Sequence, residues 1–375
     1  MDQSIKQTLS TICRAVSVIA IGLTIVGTSC SHNKSDSGSF VEIEGVNVSL
    51  SGDVADAVII YSNIDNLYMR HSKSSPLLSC FGIDGDSIFV RDRLITMGSG
   101  PCEMLSLMLY SVSPSEHKIV FFDPNTRRVL ECNTDDNSLS DNSSYMCTSA
   151  GANTSRFAVG HPRGTLVTYI SMGDTPTAGV VGLISKEDSA FIPLKGVGTE
   201  AMGNLTLQGQ IHYAPNSQIF VQPGGEKCLF VSSTGQYAEI FEIKGDQADN
   251  KKVLVDNVPS FSLNERGRIA TASDELKLGF KVCVTSDRVY LAPLRATYNE
   301  LKDGVKDNPK YTGPTKGADF CDEIWEYDWD GNALTKYKLS PGFSSFTVSP
   351  SHILWANSED DDYEGIIMRY ELSKK

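Results

Sequence analysis

The sequence predicts an all-β fold of repeated antiparallel sheets behind an export signal, and three observations carry that expectation. Short apolar runs rich in Val, Ile, Tyr and Phe recur along the chain, each bounded by Gly, Pro, Asn, Asp or Ser. Long helical periodicity is nearly absent after the first 30 residues. One phrase, a small residue, a polar turn and then a strand, occurs four times.

The signal comes first. Lys6 and Arg14 supply a basic start, Ala15 to Val26 a mostly apolar run, and Gly27-Thr28-Ser29-Cys30 a small-residue exit. The apolar run is shorter than the roughly 20 residues a membrane-spanning helix needs. Two small residues directly before a cysteine distinguish a lipobox from an ordinary cleavage site, so residues 1–29 are expected to be removed and Cys30 lipidated. Buried acyl chains contribute about 0.8 kcal/mol per methylene, which makes such an anchor stable. Ser31 to Ser39 is polar and small, so residues 30–40 read as a flexible tether. Residues 41–375 show no Pro/Ser-rich linker or charge block and read as one domain.

The formal charge is −13, and Asp2, Lys6 and Arg14 would leave with the signal. Their net +1 makes the mature chain −14, which repels nucleic acid and anionic headgroups and argues against both as partners. Of nine cysteines, seven remain after Cys13 and Cys30. None forms a CxxC or a Cys/His cluster, so no zinc site is expected. An odd count at wide spacing argues against a full disulfide framework. Lys281-Val-Cys-Val284 and Lys227-Cys-Leu-Phe-Val231 suit cysteine as a small buried hydrophobe.

Strand signals are clearest at Lys118-Ile-Val-Phe-Phe122, Arg128-Val-Leu-Glu-Cys132, Thr165 to Ile170, Gln218 to Val221, Arg288 to Leu291, Glu323 to Tyr327, His352 to Trp355 and Gly365 to Tyr370. Only Met104 to Leu109 and Asp274 to Leu278 suggest a helical turn or two. Asp123-Pro-Asn-Thr126 suits a type I turn, and Ser233-Thr-Gly235 and Asp330-Gly-Asn332 use glycine for positive φ. The repeated phrase begins at Val112, Ala214, Val284 and Val348. Such repetition in an all-β chain is what stacked propeller blades produce. About 335 residues give about 55 per blade for six blades, or about 48 for the alternative of seven. A pair of β-sandwiches would need a mid-chain composition break, which the sequence lacks.

Gly98-Ser-Gly-Pro-Cys-Glu-Met104 followed by Lys118 to Val129 resembles the TolB-like six-bladed propeller lipoproteins of Bacteroidetes. So do Glu323 to Leu339 and the closing strand Ile366 to Leu372. Residues 140–280 match by strand rhythm alone. The resemblance implies six blades and a membrane-tethered protein of the cell envelope, at the outer membrane. Two positions depart from the pattern: Cys102 stands where glycine is usual and Met104 where an aromatic is usual. If the loop needs positive φ at Cys102, the side chain costs about 1 kcal/mol. Asp86-Ser87-Ile88 and Asp188-Ser189-Ala190 resemble a short O-glycosylation sequon of exported proteins of that group.

The family-motif loop, Gly98, Gly100, Pro101 and Glu103, is not a phosphate loop, because it lacks the Gly-Lys-Ser/Thr ending and a following helix. It reads as a blade-entry turn in which Glu103 caps backbone amides. Trp325, Tyr327 and Trp329 alternate and share one face; exposed, they form an aromatic platform for a sugar, and buried, they fill the gap between blades. Glu359 to Glu364 and Asp135-Asp136 lack the alternating carboxylates of a calcium loop and read as solvated turns. His71, His117, His161, His212 and His352 are scattered, outside any HExxH or serine-elbow motif. Cys102 beside Glu103 has no identifiable base, so no catalytic residue, metal site or cofactor is assigned. The expected function is a membrane-tethered binding or scaffold module, anchored through Cys30, for a protein, peptide or glycan partner. The alternative is a calcium-dependent propeller hydrolase of lactonase or esterase type, holding its metal with Glu, Asn and Asp from several blades.

Overall fold

A computed structural model describes residues 39–372, apart from 52–56, 73–74, 108, 114–115, 124–125, 127, 142–151, 172–180, 199–216, 233–234, 258–260, 264–268, 272–277, 298–299, 301–309, 311–316 and 363. The signal segment, Cys30 and nearly all of the tether therefore lie outside the described residues, as do Cys147 and His212.

The chain is all-β, with its sheets in a propeller-like arrangement. Two lead-in strands, β1 (Val41–Glu44) and β2 (Val46–Ser51), precede six antiparallel runs of strands. The first run is β3 (Ala57–Ser62), β4 (Asn66–His71), β5 (Leu78–Asp84) and β6 (Ser87–Met97), with β7 (Glu103–Met104) beside β6. The second is β8 (Leu109–Ser113), β9 (Lys118–Asp123), β10 (Arg128–Asn133) and β11 (Leu139–Asp141). The third is β12 (Ala152–His161), β13 (Gly164–Ser171), β14 (Val181–Ser185) and β15 (Phe191–Pro193). The fourth is β16 (Gln218–Val221), β17 (Cys228–Val231), β18 (Gln236–Lys244) and β19 (Gln247–Asn257), followed by a hairpin of β20 (Phe261–Leu263) and β21 (Ile269–Thr271). The fifth is β22 (Phe280–Val284), β23 (Arg288–Pro293), β24 (Cys321–Asp328) and β25 (Ala333–Phe343). The last run, β26 (Ser345–Val348), β27 (Ile353–Glu359) and β28 (Gly365–Glu371), has only three strands of its own.

The missing fourth strand comes from the other end of the chain. Val46, Asn47 and Val48 pair antiparallel with Arg369, Met368 and Ile367 of β28. Ser49, Leu50 and Ser51 then pair parallel with Ser87, Ile88 and Phe89 of β6. Just before, β1 runs parallel to the outer edge of β25, from Val41 opposite Tyr337 to Glu44 opposite Ser340.

Alternation of side chains drives the packing, because successive residues of a strand point to opposite faces. In β9, Ile119 and Phe121 face Tyr68 and Cys80 of the first run, while Val120 and Phe122 face Val167 and Ile184 of the third. In β17, Cys228 and Phe230 pack with Leu166 and Leu183, whereas Leu229 and Val231 pack with Val289 and Leu291. Tyr290 and Ala292 of β23 turn instead to Leu354 and Ala356. Trp355 closes the circuit against Leu67 and Met69 of the first run. Six apolar clusters thus join consecutive runs in a closed sequence.

Two details differ from expectation, and a third falls outside the described residues. The described residues of Met104 to Leu109 form no helical turn: Glu103 and Met104 pair with Thr96 and Met97, and Leu105 N–H donates to Asp123 Oδ2 at 2.9 Å. Of Asp274 to Leu278, only Leu278 is described, as an isolated bridge. Three copies of the repeated phrase form the first hairpin of their runs, but the copy at Ala214 leads into β16 and so stands one strand earlier. Gly235 and Gly331 do adopt positive φ, 79° and 83°.

His161, at the end of β12, is buried between the third and fourth runs. Its Nδ1 accepts from Arg163 N–H at 3.1 Å, and the ring also bonds the Glu226 backbone. Both nitrogens are engaged only in the neutral form. Burial, with Arg163 adding to it, pushes the imidazole down to about 4 from 6.5. The unfolded chain takes up this proton first, so stability is full above pH 6.5 and declines as pH falls toward 4. Urea melts across that window should show His161→Gln losing less stability than the unsubstituted chain.

Candidate functional site

The family-motif loop is held from three sides. Gly98 N–H donates to Met104 O at 3.1 Å and Glu103 N–H to Gly100 O at 3.2 Å. The Glu103 carboxylate accepts from Gly100 N–H at 2.6 Å. A Cβ on Gly98 would collide with that carboxylate, and one on Gly100 would sit 2.8 Å from it. The glycines therefore leave room for that carboxylate to reach the Gly100 amide, and neither adopts positive φ. Arg128 reaches over from β10, its Nη1 donating to Gly100 O at 2.6 Å and Glu103 O at 3.2 Å. Its Nη2 donates to Asp141 Oδ2 at 2.8 Å. Cys102, where the related pattern has glycine, takes φ of 59°. The whole loop is a structural joint between the first two runs.

Trp325, Tyr327 and Trp329 do share a face, and that face packs against the fourth run. Tyr327 and Trp329 are buried, and Trp329 Nε1 donates to Thr285 O at 2.9 Å. Trp325 is half-buried, edge-on to Phe280 at 5.8 Å with Lys336 over its ring at 5.1 Å. The three rings fill an inter-sheet gap, so as a sugar platform they are replaced by packing. Asp360, in the acidic run, accepts from Asp362 and Glu364 N–H at 3.0 and 2.8 Å, which makes that run a hairpin turn. Ser87, at the start of β6, and Ser189, in the loop before β15, are exposed, with Ser87 bonded to Ser49 at 2.7 Å.

A cavity of about 380 Å³ lies where β3, β8, β16, β22 and β26 converge. Each of these first strands contributes one aromatic ring: Tyr61, Tyr110, Phe220, Phe280 and Phe346. Its wall is braced by Asn357, whose Oδ1 accepts from Ile59 N–H at 2.8 Å and Ser345 Oγ at 2.7 Å. Burial pushes the Tyr61 phenol up to about 12, so the ring presents a neutral hydroxyl. Cys283, on the same wall, is raised by burial, against hydrogen bonds from Val348 N–H at 3.3 Å and with Thr347; it stays a thiol and a poor nucleophile. Among the described lining residues there is no Asp or Glu. Nor do the described residues anywhere gather three His, Cys, Asp or Glu at metal-binding range.

This cavity escaped sequence reasoning because five separated strands build it. The available signal was the recurrence of one aromatic per first strand at one or two blade lengths.

No family profile matches the chain, and no curated protein matches its sequence. Among solved structures, a member of the DUF4221 family from Bacteroides vulgatus is similar with a TM-score of 0.51 at 10% identity, over 88% of this chain and 98% of that one. At that identity the likeness is one of fold. A Bacteroides fragilis protein described as exported gives 0.47 at 11% identity, over 90% and 100% of the two chains. The β-propeller domain of Cps50 (Swd1) from Myceliophteria thermophila gives 0.43 at 10% identity, over 88% and 100%.

Three substitutions check the loop. Left-handed backbone costs a β-carbon residue about 1–2 kcal/mol, partly offset by the entropy glycine loses on folding. Cys102→Gly should therefore raise stability by about 0.5–1 kcal/mol in denaturant melts, with Cys102→Ala unchanged. Arg128→Ala strips charged donors from two carbonyls and should cost about 2–3 kcal/mol.

Proposed function

We propose that this chain is an exported lipoprotein whose six-bladed propeller, of the TolB-like kind known from Bacteroidetes, acts as a binding module at the outer membrane. The observation that carries the binding reading is the aromatic-walled cavity with no catalytic constellation assembled around it among the described residues. The closed sequence of six inter-run clusters supports the blade number, with β2 completing the sixth blade.

The tether reading rests on Gly27-Thr28-Ser29-Cys30 and the polar run behind it. The described fold begins only about ten residues beyond Cys30, at a lead-in strand that is itself locked into the sheets. A lipid at Cys30 therefore holds the propeller close to a bilayer without entering its core. The partner is a protein, peptide or glycan; a mature charge of −14 disfavours nucleic acid.

Cell fractionation tests the anchor. Cys30→Ser should move the protein from the membrane fraction to the soluble envelope fraction, with an unchanged melting temperature. Retention of the serine variant in the membrane fraction overturns the lipoprotein reading.

A further inference from the structure

We propose that the central cavity is a receptor site for a small aromatic carboxylate, a ligand additional to the macromolecular partner; the proposal rests on the reading of the chain as a binding module. Three features of the cavity point to that chemistry together. Its volume, about 380 Å³, lies in the range of small-ligand sites, roughly 300–1,000 Å³. One aromatic ring from each of five strands gives faces and edges for a flat apolar body.

The third feature is charge. Lys281, on β22, is the only charged residue among the described lining residues. It is half-buried, and among the described residues no carboxylate lies within ion-pair distance of it. Asp322, on β24, is engaged by other cations. Lys281 shares the surroundings of Cys321 with Arg295, Asp319 and Asp322, and Asp322 is already held by Arg295 at 2.6 Å and Lys338 at 2.9 Å. Lys281 thus stands on the cavity wall without a described counter-ion, and a ligand carboxylate supplies one.

Competing ligand classes fit less well. A cationic ligand would meet Lys281 and no described carboxylate. A phosphate is usually met by several donors or cations converging on it, and one lysine is present. A sugar needs a ring of polar partners, whereas Gln218 and a few hydroxyls stand among mostly apolar neighbours. The net negative charge of the chain opposes an anion only at long range, where salt screens it over about 8 Å. Within the cavity the contact with Lys281 dominates, because the local dielectric is lower.

Calorimetric titration of the Cys30→Ser chain, which keeps every described residue, tests the assignment with naphthylacetate and its uncharged analogue naphthylacetamide. The acid should bind, and bind at least about tenfold more tightly than the amide. Lys281→Met should bring the two to equal affinity, while Lys281→Arg keeps the preference; thermal melts verify that both variants fold. No binding of the acid, equal binding of acid and amide by the unsubstituted chain, or a preference that survives Lys281→Met overturns the proposal. Partner capture from intact cells reads the binding-module role separately. A chain that captures a macromolecule yet ignores naphthylacetate refutes this site and leaves the module standing.

Discussion

Every second strand in this protein is buried on both faces, and the rest of the architecture follows from that. Phe121 and Phe122, or Phe230 and Val231, are neighbours in sequence yet belong to different apolar clusters. Each such side chain contributes about 1.5–3 kcal/mol only when its face is covered, so no sheet is stable without a neighbour on either side. An open row of such sheets leaves two naked faces, and a closed sequence leaves none. The chain reaches closure with residues 46–51, which complete the last run along β28 and continue onto β6 of the first. Backbone pairing there is reinforced by Asn357 of β27, which accepts from Ile59 N–H across the same junction. The same segment covers outer strand edges, which otherwise invite pairing with another chain.

Polar groups inside the stack obey a stricter rule, since a buried charge must be paired. Glu131, Glu239 and Glu326 are all buried, and all lie on the third strand of their runs. Lys118 stands 3.1 Å from the first, Lys251 3.5 Å from the second and Arg288 3.2 Å from the third. Tyr237 and Tyr337 hydroxyls donate to the last two at 2.5 and 3.0 Å. Gly198 N–H adds a donor to Glu239 at 2.5 Å, tying the loop after the third run to the fourth. Pairs of this kind add little net stability, but removing one partner strands a charge. They therefore fix which strands pair within each sheet and in what register, while the Gly198 contact reaches from one run to the next.

Much of this was legible in sequence, and the illegible part has one cause. Continuous apolar runs such as Lys118 to Phe122 announce strands buried on both faces, and the polar turns between them announce hairpins. The alternation of Trp325, Tyr327 and Trp329 fixed their common face, but only the neighbouring sheet decides whether that face is wet. Gly98, Gly100 and Glu103 stood out as a tight turn, whereas Arg128 and Asp123, which pin that turn, come from later strands and carry no local mark. Met104 looked helical because its neighbours are apolar and unbroken; pairing with Met97 overrode that local preference. The cavity is the extreme case, assembled one or two residues at a time from five strands. Linear spacing records periodicity within an element, and what converges from separate elements leaves almost no trace in it.

The acidity of the chain can now be read as a product of the fold. A chain of consecutive hairpins needs many tight turns, and short acidic side chains make them by accepting backbone N–H groups. Asp136 accepts from Ser138 at 2.9 Å, and Asp188 from Ala190 at 3.1 Å. Asp328 accepts from Asp330 and Asn332 at 2.9 and 2.8 Å, and Asp360 closes its turn in the same way. Hydrogen bonds from Ser138 lower the Asp136 carboxyl, and those around Ser185 and Ala190 lower Asp188. At Asp328 partial burial works upward, and the bonds from Asn332 and Asp330 outweigh it. These carboxylates are thus consumed in holding turns, and the third-strand glutamates in pairing neighbouring strands. Negative charge lies at the periphery and in paired interfaces, while the described wall of the cavity carries Lys281 as its single charge. The net charge of the protein therefore says how its turns are made, and the sign that matters to a ligand in the cavity is the opposite one.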